Sequence, residues 1–309
     1  MQLILRCDDT GYTHGFNEGI KAALKHQTVT HAEIFPDTPG SVEAMELLRG
    51  PVMAGWLSSA WHMHWWGRPC ADPKRIPSLL NEDGMFKFRH DMWEFSPDRR
   101  KANPGKVSTM MDADEEEAYI EMKAQMEKYI RYLGKTPDIS SFIGIAEGPI
   151  ARACERVCRE YGVMTNEDCR KVAIDGRGDW CPVPWSGHPG ARYIRDSTIR
   201  NTQYDPLTWI TEDQGNNLSK QRTMYVFHPG WIDDYMYEDF SFWYDYDRTY
   251  FDGCMIVDMI CLKSARFRQW IIDNKVELIN FMDAVNGTHL YQDHLKAVGS
   301  DLYMGQRLD

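Results

Sequence analysis

Two adjacent aspartates, Asp8 and Asp9, follow the run Leu3-Ile4-Leu5-Arg6-Cys7 and precede Thr10-Gly11. Neighbouring carboxylates repel one another. Burial penalises both unless a cation, a proton or a network of donors compensates. Two histidines, His62 and His64, close the stretch that begins at Val52, and His228-Pro229-Gly230 follows the run 223–227. Each feature has an ordinary explanation on its own. Aspartate is a common turn residue, and a single histidine at a strand end is often structural. Together they form a chemical set. Carboxylate and neutral imidazole suit a divalent zinc, cobalt, nickel or manganese ion. A carboxylate off the metal could take a proton from water beside the cation. A further histidine could donate one to a leaving group. The reaction class is metal-assisted hydrolysis.

The elements that must carry these residues alternate between strand and helix. Residues 2–7 read as a buried strand, 15–26 as a helix with Phe16, Ile20, Ala23 and Leu24 on one face, and 29–35 as a β-rich run. Ser41 is placed to cap a helix through Leu48 that Gly50-Pro51 ends, and 52–62 reads as a strand. The Pro-rich stretch 65–111 reads as a long functional loop. Asp114 and the acidic turn Glu115-Glu116-Glu117 open a helix that Gly134 ends. Then follow a strand at 139–145, a helix from Pro149 to Tyr161, a second long loop at 176–205, a strand at 223–227, aromatic and acidic loop sequence to about residue 250, a helix at 263–273 and a strand at 276–279. Such alternation predicts parallel strands with crossover helices. The fold class expected is α/β: a TIM-like (β/α) barrel, regular or irregular, with long loops at the C-terminal face of the strands. An open doubly wound sheet is the alternative. Residues 1–285 read as a single barrel domain and 286–309 as a C-terminal extension. In a barrel all three polar clusters open on the catalytic face.

Composition narrows the partners. A net charge of -11 without a basic stripe speaks against nucleic acid. No apolar run reaches membrane-spanning length, and no secretory leader precedes the first strand, so a cytoplasmic protein is expected. Eight cysteines show no CxxC zinc pattern; Cys154 and Cys158, four apart on an expected helix, read as core filling, and reduced thiols fit the compartment. No GxGxxG or P-loop motif follows the first strand, which leaves dinucleotide and phosphate-cradle readings unsupported. Loop aromatics such as Trp61, Trp65, Trp66 and Trp231 suit the apolar faces of sugars, although ordinary packing explains many of them.

The motifs then resemble, in order, those of the YdjC-like carbohydrate deacetylases, the chitooligosaccharide deacetylase family. The opening segment Asp8-Asp9-Thr-Gly-Tyr-Thr-His-Gly-Phe-Asn-Glu-Gly-Ile is similar to the family's first motif. Trp61-His62-Met63-His64-Trp65-Trp66-Gly67-Arg68-Pro69 resembles its His-rich strand end, and 77–86 the loop that follows. The helix with Glu121, Gln125 and Glu127, the segment His228-Pro229-Gly230-Trp231-Ile232-Asp233-Asp234 and the closing Glu277-Leu278-Ile279 also fit. The resemblance implies a barrel-like fold and a metal-dependent hydrolase that removes acetyl groups from amino sugars. By position, Asp9 and His62 would be metal ligands, Asp8 the general base, and His228 the general acid or oxyanion stabiliser. Trp65, Arg68 and Trp231 would bind substrate. The cofactor implied is a divalent zinc, magnesium, manganese, cobalt or nickel ion. The partner implied is a small carbohydrate, with neither nucleic acid nor membrane; a homodimer is left open.

One departure stands out. The family completes its metal site with histidines at the end of the next strand, where this chain reads Asp138-Ile139-Ser140-Ser141-Phe142-Ile143-Gly144-Ile145-Ala146-Glu147. Catalytic zinc normally takes three protein ligands. His64, on the same side of an extended strand as His62, is the expected third ligand. Asp138 or Glu147 is the second option. The third is a site without metal, either in a non-catalytic carbohydrate-binding relative or in a metal-free carbohydrate-active enzyme of the same fold.

Overall fold

The computed structural model describes residues 1–63, 68–87, 113–141, 148–165, 205–234 and 249–307. Strand β1 is Gln2–Thr10, β2 His31–Ile34, β3 Ser58–His62, β4 Ile139–Ser141, β5 Arg222–Phe227 and β6 Glu277–Leu278. They form one parallel sheet in the order β4-β3-β2-β1-β5, with β6 beside the start of β1. The carbonyls of Met1, Leu3 and Leu5 accept the N–H groups of Glu277, Ile279 and Thr30 in turn. One edge of β1 thus serves β6 first and then β2. The alternation read from the sequence is therefore correct: this is an α/β fold with a parallel sheet.

Helices α1 (His14–His26), α2 (Ser41–Met53), α3 (Glu115–Leu133), α4 (Pro149–Tyr161), α5 (Pro206–Thr211), α6 (Thr249–Lys263), α7 (Ala265–Asp273), α8 (Phe281–Asn286) and α9 (Leu290–Ala297) connect and cover the strands. Asp114 caps α3 by accepting from the N–H groups of Glu116 and Glu117. Three local expectations are corrected. Helix α2 begins after Gly40 rather than at a Ser41 cap, and it runs through Pro51 to Met53. A proline in the last turn forfeits one hydrogen bond, and Ala54 N–H still reaches the Gly50 carbonyl at 2.9 Å. The strand expected from Val52 consequently starts at Ser58. The helix expected over 263–273 is α7, which begins at Ala265 because Ser264 leaves helical geometry and its hydroxyl caps it, while Lys263 closes α6.

Register divides the sheet into two chemically different faces. Arg6 pairs with His31, His31 with Ser58, Glu33 with Ala60, Ala60 with Ile139, and His62 with Ser141. Paired residues in a parallel sheet share a face, and alternate residues along a strand share it too. Leu3, Leu5, Cys7, Ala32, Ile34, Trp61, Tyr225 and Phe227 point the other way, into the large core beneath the helices. On the first face a small apolar cluster of Ile4, Ala60, Ile139, Met224, Ile279 and Phe281 fills the end where the strands begin. Toward the strand ends that same face turns polar, with Arg6, Asp8, Glu33, His62 and Ser141. In α9, Tyr291 and Leu295 are buried in the large core, and Gln292 donates to the Leu278 carbonyl. No helix among the described residues is long and apolar enough to cross a membrane.

Candidate active site at the strand ends

Adjacent residues in a regular strand face opposite ways, yet Asp8 and Asp9 both reach the polar face. The cause is a break in β1. Asp9 has φ 55, in the left-handed region, and the register with β2 shifts between Cys7 and Thr10. Non-glycine residues adopt this conformation at a cost, and it concentrates at functional sites. The bulge turns the Asp9 carboxylate toward β3.

Asp9 meets His62 there, with Oδ1 3.2 Å from Nε2. On the opposite side of the ring, Nδ1 of His62 lies 2.9 Å from Glu33 Oε2. Phe35 stacks on the imidazole at 4.5 Å between centroids. Glu33 is fully buried, and its Oε1 lies 2.7 Å from Arg6 Nη1. Arg6 grips Asp8 with two further nitrogens: Nη2 donates to Oδ2 at 2.7 Å, and Nε donates to Oδ1. His228 closes the arc, its Nε2 3.8 Å from Asp8 Oδ2. His31 stands behind Glu33 at 3.7 Å and is anchored through Nδ1 to Ser58 Oγ.

These contacts set the protonation states. Burial disfavours charge on His62, but its bonds to Asp9 and Glu33 prevail and raise its pKa to about 10. Burial pushes the Asp9 carboxyl up, yet the His62 bond and the charges of His228 and His62 hold it below the usual carboxylate range. Glu33 is likewise opposed by burial and is nonetheless held well below that range by Arg6, His31 and His62.

The segment carrying His228 is fixed from two sides. Its backbone N–H donates to Asp258 of α6 at 2.7 Å. The turn after it lies against α1, where Trp231 N–H reaches the Gly15 carbonyl and Asp233 accepts from Gly15 N–H. A Cβ on Gly15 would sit 2.2 Å from the Trp231 carbonyl oxygen, and one on Gly19 2.2 Å from that of Pro229. Gly15 and Gly19 of the first motif therefore leave room for the last one to pack against α1.

Among the expected site residues, the structure brings Asp8, Asp9, His62 and His228 together. His64 and Trp65 lie outside the described residues, as does Glu147. Arg68 is exposed, and Trp231 is exposed with Lys263 Nζ 5.8 Å from its ring centre. Asp138 is excluded as a ligand. It sits at the opposite end of β4, accepts from Ser59 N–H at 2.9 Å and pairs with Lys135 at 2.7 Å. Arg6 and Glu33 were missed. The alternation His31-Ala-Glu33-Ile placed Glu33 on the same face as His31, and a charged residue inside a short buried strand was the available signal.

Asp9 Oδ1 and His62 Nε2 face each other at 3.2 Å, a separation that two ligands of one divalent cation can also adopt. Asp8, Glu33 and His62 also lie close enough together to suggest a second grouping. There, however, the Arg6 guanidinium already bridges Asp8 and Glu33. One imidazole cannot turn both nitrogens to one ion, so a cation bound through Nε2 would lie on the Asp9 side.

Fold and site thus define an α/β protein with a buried carboxylate–histidine centre at the ends of parallel strands. The chain belongs to the YdjC-like protein family, whose model matches residues 2–273. Carbohydrate deacetylase 2 of Listeria innocua is 23% identical over 288 residues, covering 92% of this chain and 98% of that protein. A carbohydrate deacetylase of Brevibacillus brevis is also 23% identical, over 92% of this chain and 99% of its own length. A crystal structure of a proposed cellobiose-phosphate cleavage protein from Enterococcus faecalis V583 superposes with a TM-score of 0.56 at 19% identity, covering 92% of this chain and 98% of that one. That likeness supports the fold alone.

Proposed function

We propose that this protein is a metal-dependent hydrolase that deacetylates an N-acetylated sugar or small oligosaccharide. The observation that carries the reading is the division of labour at the strand ends. Asp9 pairs with His62 Nε2 at 3.2 Å, while Asp8 faces His228 across 3.8 Å. The names of the relatives and the family match support the reaction type.

Asp9 and His62 would hold a divalent ion, with His64 as third ligand. Bound there, the ion would supply Lewis acidity to a water and to the acetyl carbonyl. Asp8, oriented by the Arg6 fork, would accept the water's proton. His228 gives a proton to the amine nitrogen as the C–N bond breaks, so the products are acetate and a free amino sugar. Trp65, Arg68 and Trp231 would line the sugar's approach. The sheet would be the wall of a (β/α) barrel, a reading supported by the separate apolar cluster on the site face.

The test is acetate release from a panel of N-acetylated mono- and oligosaccharides by protein loaded with zinc, cobalt, nickel, manganese or magnesium. Turnover that chelation abolishes and Asp9→Asn removes supports the proposal. No acetate from any substrate, or turnover indifferent to chelation, overturns it.

A further inference from the structure

We infer that Glu33 and Arg6 are positioning residues that tie the orientation of His62 to that of Asp8. The inference rests on the proposed metal centre, but it concerns residues that would touch neither the ion nor the substrate.

An ionised carboxylate has only acceptor oxygens. Glu33 Oε2 lies 2.9 Å from His62 Nδ1, and two lone pairs that close would repel, so the contact favours a hydrogen on that nitrogen. In the neutral imidazole the lone pair is then confined to Nε2, which is the atom directed at Asp9. Glu33 thereby selects the tautomer that can bind a cation on the Asp9 side. A carboxylate behind a ligating histidine also raises the basicity of the ring and fixes its rotation.

Glu33 is itself held by Arg6. The same guanidinium takes Asp8 through two nitrogens and Glu33 through the third, at 2.7 Å. The planar fork of arginine makes these contacts mutually dependent, and lysine could not reproduce them. A rotation of Glu33 would drag Arg6 and with it the proposed base. The chain Asp8–Arg6–Glu33–His62–Asp9 is therefore one continuous frame. Asp8 and Asp9, neighbours in sequence, are joined through three other side chains.

The test measures zinc affinity by titration calorimetry for the wild type, Glu33→Ala, Glu33→Gln and Arg6→Lys, beside thermal melts of the metal-free proteins. A second measurement follows the hydrogen-bonded Nδ1–H proton of His62 by NMR in metal-free protein. Glu33→Ala should weaken zinc binding 10–100-fold. Glu33→Gln, whose amide oxygen still accepts from Nδ1–H, should recover part of that loss. Arg6→Lys should lower kcat while leaving zinc affinity closer to wild type. A role confined to stability would lower the melting temperature and leave zinc affinity unchanged in folded Glu33→Ala, and that result overturns the inference. If the wild type binds no zinc, the metal reading fails separately. The Nδ1–H signal then decides. Its presence in wild type and Glu33→Gln with loss in Glu33→Ala upholds the frame, and its persistence in Glu33→Ala refutes it.

Discussion

Asp8 and Asp9 are consecutive in sequence but answer to different partners: Asp8 is clamped by Arg6 and faces His228, while Asp9 faces His62. The left-handed turn at Asp9 makes this possible. Without it, the alternation of a strand would send the second carboxylate into the apolar core beneath the helices. One backbone irregularity thus separates a repelling pair into two carboxylates with different partners.

Substitution should separate the two roles. Asparagine tolerates left-handed geometry, so Asp9→Asn keeps the backbone and removes one anionic ligand. Metal content and acetate release should both be lost. Asp8→Asn should retain metal, and its kcat should fall by roughly 10²–10⁴, the range of a lost general base. Elemental analysis beside kinetics reads the difference. Equal loss of metal in both variants would mean that Asp8 is a ligand.

Gly19 offers a test remote from the chemistry. A methyl group there meets the Pro229 carbonyl at 2.2 Å and the Gly230 nitrogen at 2.6 Å, both backbone atoms with little room to yield. Gly19→Ala should therefore shift the turn that carries His228. The expected cost is about 1–3 kcal/mol in chemical denaturation, typical of overpacking. The informative readout is kcat, which should fall while metal content stays at the wild-type level. Unchanged kcat would show that His228 is not the proton donor.

A pH-dependent contribution resides in Glu121 of α3. Its carboxylate accepts from the N–H groups of Cys70 and Ala71 and from Gln125, which in turn accepts from Trp61, so it anchors the segment after β3. Burial pushes its pKa to about 8 despite those donors. A raised carboxyl favours the protonated folded state. The stability it contributes is fully present below the unfolded value of about 4.3 and is lost as pH rises through about 8. Glu121→Gln mimics the neutral form. Its melting temperature should change less than that of the wild type between pH 6 and pH 9. Parallel pH profiles would show that Glu121 is already ionised at pH 6.

The sequence made the scaffold and four of the candidate site residues legible for a physical reason. Apolar runs ending in charged or imidazole side chains mark strands that open onto a polar face, and Asp8, Asp9, His62 and His228 all sit at such ends. Glu33 lay within the run read as β-rich, where its burial depends on an arginine two residues upstream of the aspartates on another strand. Only the parallel register that pairs Arg6 with His31 brings them together. Helix α6 was concealed for another reason. It is apolar nearly throughout its later turns, so a helical stripe did not stand out against the loop sequence before it. Pro51 misled as well, because a proline near the end of a helix costs one bond rather than the whole turn.

On the proposed metal centre, a proton and the ion would compete for the same nitrogen of His62, and this sets the expected response to metal removal. In metal-free protein the two flanking carboxylates hold the ring protonated, with a pKa of about 10. A raised histidine pKa contributes stability that is fully present below the unfolded value of about 6.5 and is lost as pH rises through about 10. Chelated protein should therefore lose melting temperature across that window. Zinc must displace the proton, so its apparent affinity should increase with pH over the same interval. At a zinc concentration 100 times the dissociation constant, binding adds about 2.7 kcal/mol. The gap between zinc-loaded and chelated melting curves should thus widen from pH 7 to pH 9. His62→Gln should abolish both the gap and its pH dependence. A zinc-induced shift that is the same at pH 7 and pH 9, or that survives in His62→Gln, would place the ion elsewhere in the molecule.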